Sequence, residues 1–583
     1  MGFWMHRSCL IGFLAATVLV TGSLRAAEPV FSNQTGPAGV TMTHGTSGFA
    51  NSNYTGGATI GDFNNDGWQD LFVFSGGNNG QPDRLFINNG NGTFSNEAAS
   101  WGLTAVHKGK GATVADYNKD GWLDLFVTSA GPAGQSQQPG HHKLYLNNGD
   151  GTFTNVAAVA GVNFTNPNVQ DGWGASFGDF DLDGDLDLIV GGSTPGNAGS
   201  KLFRNDGDDT FTDVTVEIGL FSGVPGIFGF SPSLVDMDGD RYPDIPFVGD
   251  FGSSRYFRNN TDGTFSEISN QANTAQEENG MGSTLGDFNN DGKLDWYVTS
   301  IYLPNINWTG NKIYRNVGNH SYGEFSEFAG VFDGGYGWGT VAIDFNHDGF
   351  LDIAETNGGG NGTFLNEQSY LWMNNGNHTF TEQAIASGLQ HFGKGRCLIN
   401  FDYDNDGDQD IVIASNNEPL FLFRNDVEGP DANWLRVFLD SSGDSSLAPN
   451  GFGARVFATA GELKMMRSVD GKVSHLGMSE LSAHFGVGAA FVVDRVCVQW
   501  PNGTATTLAD VDVNQTITIS TTNKIGDLDG DGLVTLSDHA VFLDCMTGPQ
   551  GGIDPCCVGA DLDEDADVDA ADFAAFTLVF DGV

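Results

Sequence analysis

A chain of 583 residues with 73 Asp and Glu against 25 Lys and Arg carries a formal net charge of −48. No basic stripe exists to neutralise phosphates, which excludes nucleic acid and anionic lipid as partners. Hydrophobic residues at 39%, with 44 Phe among them, exclude a purely solvating disordered chain, and 83 Gly, twice the usual ~7% share, suit many tight turns.

The first residues, MGFWMHRSCLIGFLAATVLVTGSLRAAEP, join a short basic start (His6, Arg7) to an apolar run from Leu10 to Val20, with small residues before Glu28. That is the pattern of a secretory signal cut after Ala26 or Ala27. The run is too short to span a bilayer, and no other stretch of about 18 apolar residues exists, so no membrane span is expected. Cys9 precedes the run, which argues against a lipid-anchored cysteine. The mature chain is expected to be secreted, periplasmic or displayed at the cell surface.

From residue 62 one acidic device recurs seven times: DFNNDGWQD (62–70), DYNKDGWLD (116–124), DFDLDGDLD (179–187), DMDGDRYPD (236–244), DFNNDGKLD (287–295), DFNHDGFLD (344–352) and DYDNDGDQD (402–410). The copies start 51 to 63 residues apart, a period that signals a propeller or solenoid. A short small-or-apolar strand precedes each copy and another follows. A third strand ("RLFINN", "KLYLNN", "KLFRND") and a fourth ("GTFSN", "GTFTN", "DTFTD") come next, with Asn-Gly and Asp-Gly hairpin signals between them. Four strands in each of seven repeats predict a seven-bladed β-propeller over 28–430. The fourth-strand signature occurs at Phe94, Phe153, Phe211, Phe265, Phe325 and Phe380 but not after the seventh loop. The missing copy is "PVFSNQTGPAGV" (29–40), so an N-terminal strand is expected to complete the last blade and hide both sheet edges.

Offsets 1, 3, 5 and 9 of each copy carry Asp or Asn, and alternate oxygens on a turning backbone converge on one point. The side chains are Asp62, Asn64, Asp66 and Asp70; Asp116, Asn118, Asp120 and Asp124; Asp179, Asp181, Asp183 and Asp187; Asp236, Asp238, Asp240 and Asp244; Asp287, Asn289, Asp291 and Asp295; Asp344, Asn346, Asp348 and Asp352; Asp402, Asp404, Asp406 and Asp410. Such sets suit a hard cation with six to eight oxygens at about 2.3–2.6 Å, calcium rather than magnesium. Offset 6 is Gly in all copies but the fourth, where Arg241 stands there and Gly239 sits two residues earlier. The fourth site is therefore expected to be the weakest, or empty. The repeats resemble the FG-GAP/VCBS repeats of integrin-type propellers over residues 29 to 430. That resemblance implies structural calcium ions that stiffen blade loops and a ligand bound elsewhere on the ring.

Alternation in "LRVFL", "ARVFATA" and "VDRVCVQW" predicts a small β domain over 431–522. The stretches "GFGARV" from Gly451, "HFGVG" from His484 and "VQWPNG" from Val498 are similar to the ASPIC/UnbV domain, a pairing with propellers also found in the cartilage acidic protein family. His484 beside a glycine turn reads as structural or ligand-contacting, since no Ser, Cys or carboxylate pair is placed to work with it.

The tail, 523–583, holds "DLDGDGLVTLSD" (527–538) and "DLDEDADVDAAD" (561–572), each followed by a helix-like apolar run. Both fit a twelve-position calcium loop, with Asp527, Asp529, Asp531 and Asp538 in the first and Asp561, Asp563, Asp565, Asp569 and Asp572 in the second. Asp replaces the usual Glu at position 12, and Ala566 replaces the turn glycine of the second loop. Paired half-EF-hands of this kind are similar to a type I dockerin, which implies a cohesin-like partner, with Ser537 a candidate contact. Cys545 is expected to pair with Cys556 or Cys557, and Cys397 and Cys497 to lie buried as small apolar groups.

The residues favour a secreted calcium-binding adhesion, recognition or scaffold protein whose propeller presents a face to a glycan or protein ligand and whose tail docks to a cohesin-like or envelope component. The alternative is a dockerin-tethered polysaccharide lyase or hydrolase, but no catalytic residues stand out. The aromatic-rich stretch "SIYLPNINWTGNKIY" (300–314) is the expected ligand-contacting loop.

Overall fold

The computed structural model describes residues 27–45, 56–76, 80–132, 141–163, 172–192, 199–303, 308–359, 362–521, 524–549, 551–563 and 565–581. The expected signal segment, apart from Ala27, lies outside them, as do residues 304–307 of the aromatic-rich stretch.

The chain is mainly β. Among the described residues, seven four-stranded antiparallel sheets follow one another between Phe31 and Asn425. The first is typical: Ala58–Gly61, Asp70–Val73, Arg84–Asn88 and Phe94–Asn96 pair in sequence order. Their short strands are almost wholly buried on both faces, because each sheet is sandwiched between two neighbours, so apolar residues run continuously rather than alternating. The acidic loop joins the first two strands of every sheet. The seventh sheet is assembled from both ends of the region. Gly395–Phe401, Asp410–Ser415 and Phe421–Asn425 are completed by Phe31–Asn33, with Phe31 opposite Asn425 and Asn33 opposite Phe423.

One side chain repeats as faithfully as the loops. The asparagine at or near the end of each third strand donates from its backbone to the offset-9 aspartate of its own sheet, as Asn88 N to Asp70 Oδ1 at 2.8 Å. Its side-chain amide then reaches the offset-2 carbonyl of the preceding sheet. Asn147 donates to Phe63 O, Asn205 to Tyr117 O, Asn259 to Phe180 O, Asn316 to Met237 O, Asn374 to Phe288 O and Asn425 to Phe345 O. Asn88 donates to Tyr403 O of the last sheet at 2.8 Å, so the series returns to its start. All seven amides are buried, where a lost partner would cost about 1–3 kcal/mol each.

The C-terminal β domain layers the sheet formed by Asn433–Asp440, Ala483–Gly488 and Gln515–Ser520 on the sheet formed by Leu463–Val469, Ala454–Ala460, Val492–Gln499 and Ala505–Asp512. Leu435, Val437, Val456, Phe485, Val498 and Trp500 fill the space between. The domain sits on the loop-bearing face of the ring and sends residues 473–478 into its middle. Ser233 Oγ accepts from Val473 N, Ser283 N donates to Ser474 O, Ser474 Oγ donates to Leu398 O, Ala112 N donates to Leu476 O and Ile60 N donates to Met478 O. Thr340 N donates to Ser474 Oγ. A short segment bonded to the first strands of five sheets, and to the residue that follows the first strand of a sixth, can lie only on the ring axis. A Cβ at Gly477 would come within 1.9 Å of Ala58 O, so only glycine passes there.

The tail carries helices Leu536–Cys545 and Ala570–Val579, packed through Phe542 and Phe576. Disulfides join Cys545 to Cys557 and Cys497 to Cys556. The expectation that Cys497 stays a free buried thiol is thus corrected: its strand faces the tail, and the side chain that alternation assigned to an apolar layer is a covalent staple. Cys397 is free and buried.

Candidate metal centres

The first loop shows how the sequence sets the geometry. Asn65 and Gly67 take left-handed backbone (φ 53° and 85°), which coils the chain around the carboxylates. Asp62 accepts from Asp66 N (3.1 Å) and Gly67 N (2.8 Å), Asn64 Oδ1 from Asp66 N, and Asp66 Oδ1 from Trp68 N (2.9 Å). Asp70, fully buried, accepts from Phe63 N (3.1 Å) and from Asn88 N. The second, third, fifth, sixth and seventh loops repeat the offset-1 and offset-9 bonds, as in Asp124, Asp187, Asp295, Asp352 and Asp410.

These bonds leave oxygens over. Asp181 Oδ1, Asn346 Oδ1 and Asp404 Oδ1, all at offset 3, are buried with no donor. Oxygens of Asp179, Asp181 and Asp187 lie within 4.8 Å of one another, as do those of Asp402, Asp404 and Asp410. Burial, with like charge second, pushes Asp116 up to about 6, Asp179 to about 7 and Asp124 to about 8, and holds Asp70, Asp187, Asp295, Asp352 and Asp410 well above the carboxylate range. Buried acceptor-only oxygens converging from a turning loop are the donor set that fits a hard divalent cation.

The fourth loop is built differently. Arg241 itself takes φ 82° in place of glycine, and Asp236 Oδ1 accepts from Gly239 N (2.7 Å). Arg455 from the C-terminal domain places Nη2 3.2 Å from Asp236 Oδ2. His320, from the hairpin of the fifth sheet, places Nε2 2.8 Å from Asp238 Oδ2, and Tyr256 OH donates to Asp244 Oδ2 (2.9 Å). A protein donor thus meets the offset-3 carboxylate, which keeps a bare oxygen in the third loop, although oxygens of Asp236, Asp238 and Asp240 still lie within 4.8 Å of one another. Arg436 makes a related contact in the seventh loop, with Nη1 3.1 Å from Asp402 Oδ2, while its other amine pairs with Glu480.

In the tail, Asp527 accepts from Gly530 N and Gly532 N, and oxygens of Asp527, Asp529 and Asp538 cluster within 4.8 Å. Asp538 closes a capping box with Thr535 and accepts from Leu528 N (2.6 Å), tying loop to helix. Asp561 holds Ala566 N (3.1 Å) although Ala566 must adopt φ 71°. Asp572 accepts from Leu562 N, Asp565 Oδ1 from Asp567 N, and Asp569 is engaged as the helix N-cap.

Other residues singled out in the sequence have structural partners. His484 is buried, with Nε2 3.0 Å from Gly407 O. Tyr314 of the aromatic-rich stretch is buried, its hydroxyl 2.6 Å from Glu277, whereas Tyr302 is half-buried against Phe332. A hydrolase-like row also emerges: Asp83 Oδ2 lies 2.7 Å from His107 Nε2 and Ser129 Oγ 3.1 Å from His107 Nδ1. Its counterpart between the sixth and seventh sheets is Ser369–His391–Ser415 at 2.8 and 3.1 Å. Both rows are buried and tie neighbouring sheets together, the second with a serine in place of the acid.

Residues 444–526 match the ASPIC and UnbV family, and residues 47–127, 133–190, 183–247 and 236–298 match FG-GAP-like repeats. Cartilage acidic protein 1 of Homo sapiens is 28% identical over 309 residues, covering 50% of this chain and 43% of that protein. The Xenopus tropicalis protein of the same name is 25% identical, covering 53% and 47%. The matches thus span less than half the length of these relatives. A rhamnogalacturonan lyase structure (YesW) aligns over 66% of this chain and 74% of its own at 14% identity with a TM-score of 0.36, too low to carry any argument. No helix among the described residues is long and apolar enough to cross a membrane. The chain combines FG-GAP repeats with an ASPIC/UnbV domain and is homologous to cartilage acidic protein 1.

Proposed function

We propose that this chain is a secreted, calcium-stabilised recognition protein built on a seven-bladed propeller. The observation that carries the reading is the set of buried, donor-free oxygens at offset 3 of the third, sixth and seventh loops. A cation there removes both the repulsion and the desolvation penalty of the acids around it. Residues Asp62, Asp66, Asp70 and their equivalents would hold the ions, and Asp527, Asp529 and Asp538 a further one. The C-terminal domain covers the loop face and blocks the axis, so a glycan or protein ligand would meet the opposite face. The homology to cartilage acidic protein 1 favours recognition over catalysis, and the recurring Ser-His staples weaken the polysaccharide-degrading alternative.

The dockerin-like tail would dock a cohesin-like partner through its outer helix faces, where Leu536, Leu543 and Leu578 are exposed. Here the Cys497–Cys556 bond makes it a rigid extension of the β domain rather than a module on a free linker. Capture of partners from envelope and culture fractions by the full chain, with calcium and with a chelator, tests the reading. Calcium-dependent retention of a protein or glycan supports it; release of reducing sugars from polysaccharide would replace recognition with turnover.

A further inference from the structure

Where the sixth and seventh loops meet the C-terminal domain, two histidines face one another, neither of them among the oxygen ligands described above. His347 occupies offset 4 of the sixth loop, and His484 lies on strand Ala483–Gly488. Both are buried, their ring centroids 5.1 Å apart and tilted by 45°. His347 Nδ1 is 3.0 Å from Ala432 O, and His484 Nε2 is 3.0 Å from Gly407 O. A carbonyl can only accept, so the proton of each ring sits on the nitrogen facing it. The opposite nitrogens, His347 Nε2 and His484 Nδ1, therefore present lone pairs, and both are buried without a hydrogen-bond partner.

Asp408, at offset 7 of the seventh loop, brings Oδ1 to 3.6 Å from His347 Nε2, beyond hydrogen-bond range, while its Oδ2 accepts from Val427 N. Two imidazole lone pairs and a carboxylate form an acceptor-only set drawn from three elements. Each imidazole donates its other N–H to a backbone carbonyl, the arrangement that fixes metal-ligating histidines. Nitrogens sharing a tetrahedral ion with bonds of about 2.0 Å lie about 3.3 Å apart, a spacing that rings at this separation can offer.

The geometry points to an interdomain site for a borderline divalent cation such as Zn²⁺, held by His347 Nε2, His484 Nδ1 and Asp408 Oδ1. It differs in kind from the oxygen-only loops, because nitrogen ligands select zinc-like ions over calcium. Its ligands come from the ring and from the C-terminal domain, so the ion would lock the two together. The proposal does not rest on the calcium reading.

The test uses the full chain stripped of metal, returned to saturating calcium, and titrated with zinc before gel filtration and elemental analysis of the protein peak. Retention of one additional zinc ion is expected in the wild type, with loss of that ion in H347Q, H484Q and D408N. Cobalt substitution of the wild type should give the ligand-field absorption of a nitrogen-bearing tetrahedral site, absent in D408N, a near-isosteric change whose retained melting temperature guards against loss of folding. A wild-type chain that keeps calcium but no zinc, or equal zinc in wild type and all three variants, would overturn the assignment and leave the lone pairs to ordered water. Absence of calcium in the same samples would count against the calcium reading alone.

Discussion

The third and fourth loops carry the same four carboxylates at the same offsets and solve their repulsion in opposite ways. In the third loop, glycine at offset 6 lets the backbone coil, and Asp181 keeps a buried oxygen that no donor among the described residues meets. In the fourth, Arg455 stands against Asp236 and His320 against Asp238, and the acids are compensated from within. On the proposed reading, a cation site is marked less by the acidic motif than by the oxygens left without donors.

The comparison is broken or sharpened most strongly by removing metal. Chelation should lower the melting temperature of the full chain more than any single substitution, since several loops lose their counter-charge together. Its pH dependence follows from the raised aspartates. Native Asp116, Asp179 and Asp124 keep protons up to about 6, 7 and 8, whereas the unfolded chain releases its own near 4. The metal-free native state then binds more protons than the unfolded one, so its stability should fall as pH rises from about 4 to 8. Thermal melts in chelator at both ends of that window check the sign, and saturating calcium should abolish the fall by keeping the carboxylates ionised.

Next in size is Phe31→Ala, expected to cost about 3–5 kcal/mol because Phe31 is buried against Phe345 in the strand that completes the seventh sheet. Chemical unfolding measures the cost. Calcium content should not change, which separates ring closure from metal loading.

Smaller effects distinguish the two loops directly. His320→Gln should destabilise by about 1 kcal/mol, because its partner Asp238 is partly exposed and screened. It should leave the calcium count untouched. Unchanged stability would show that His320 does not compensate the loop.

Much of this was legible in the sequence because it rests on local spacing. The seven loops follow from oxygens at alternate positions and glycine at offset 6, and the count of fourth strands pointed to Phe31–Asn33 as the missing one. What escaped is long-range. Nothing in the spacing of residues 473–478 marks the axial segment, since its contacts are backbone and serine-hydroxyl bonds to six different sheets. The third-strand asparagines stand as a fixed letter in "INN", "LNN" and "RND", but their partners are carbonyls of the preceding sheet, which local spacing does not show. Cys497 sat in a clean alternation whose other face belongs to the tail. Arg455 and His320 reach the fourth loop from 219 and 82 residues away, so nothing near that loop announced them beyond the loss of its glycine.

Counting bound calcium by native mass spectrometry in the full chain, D181A and D238A tests the central claim most directly. The account predicts that D181A loses one ion relative to wild type and that D238A loses none. Equal loss from both variants, or a calcium-free wild type that melts at the same temperature with and without chelator, would contradict it.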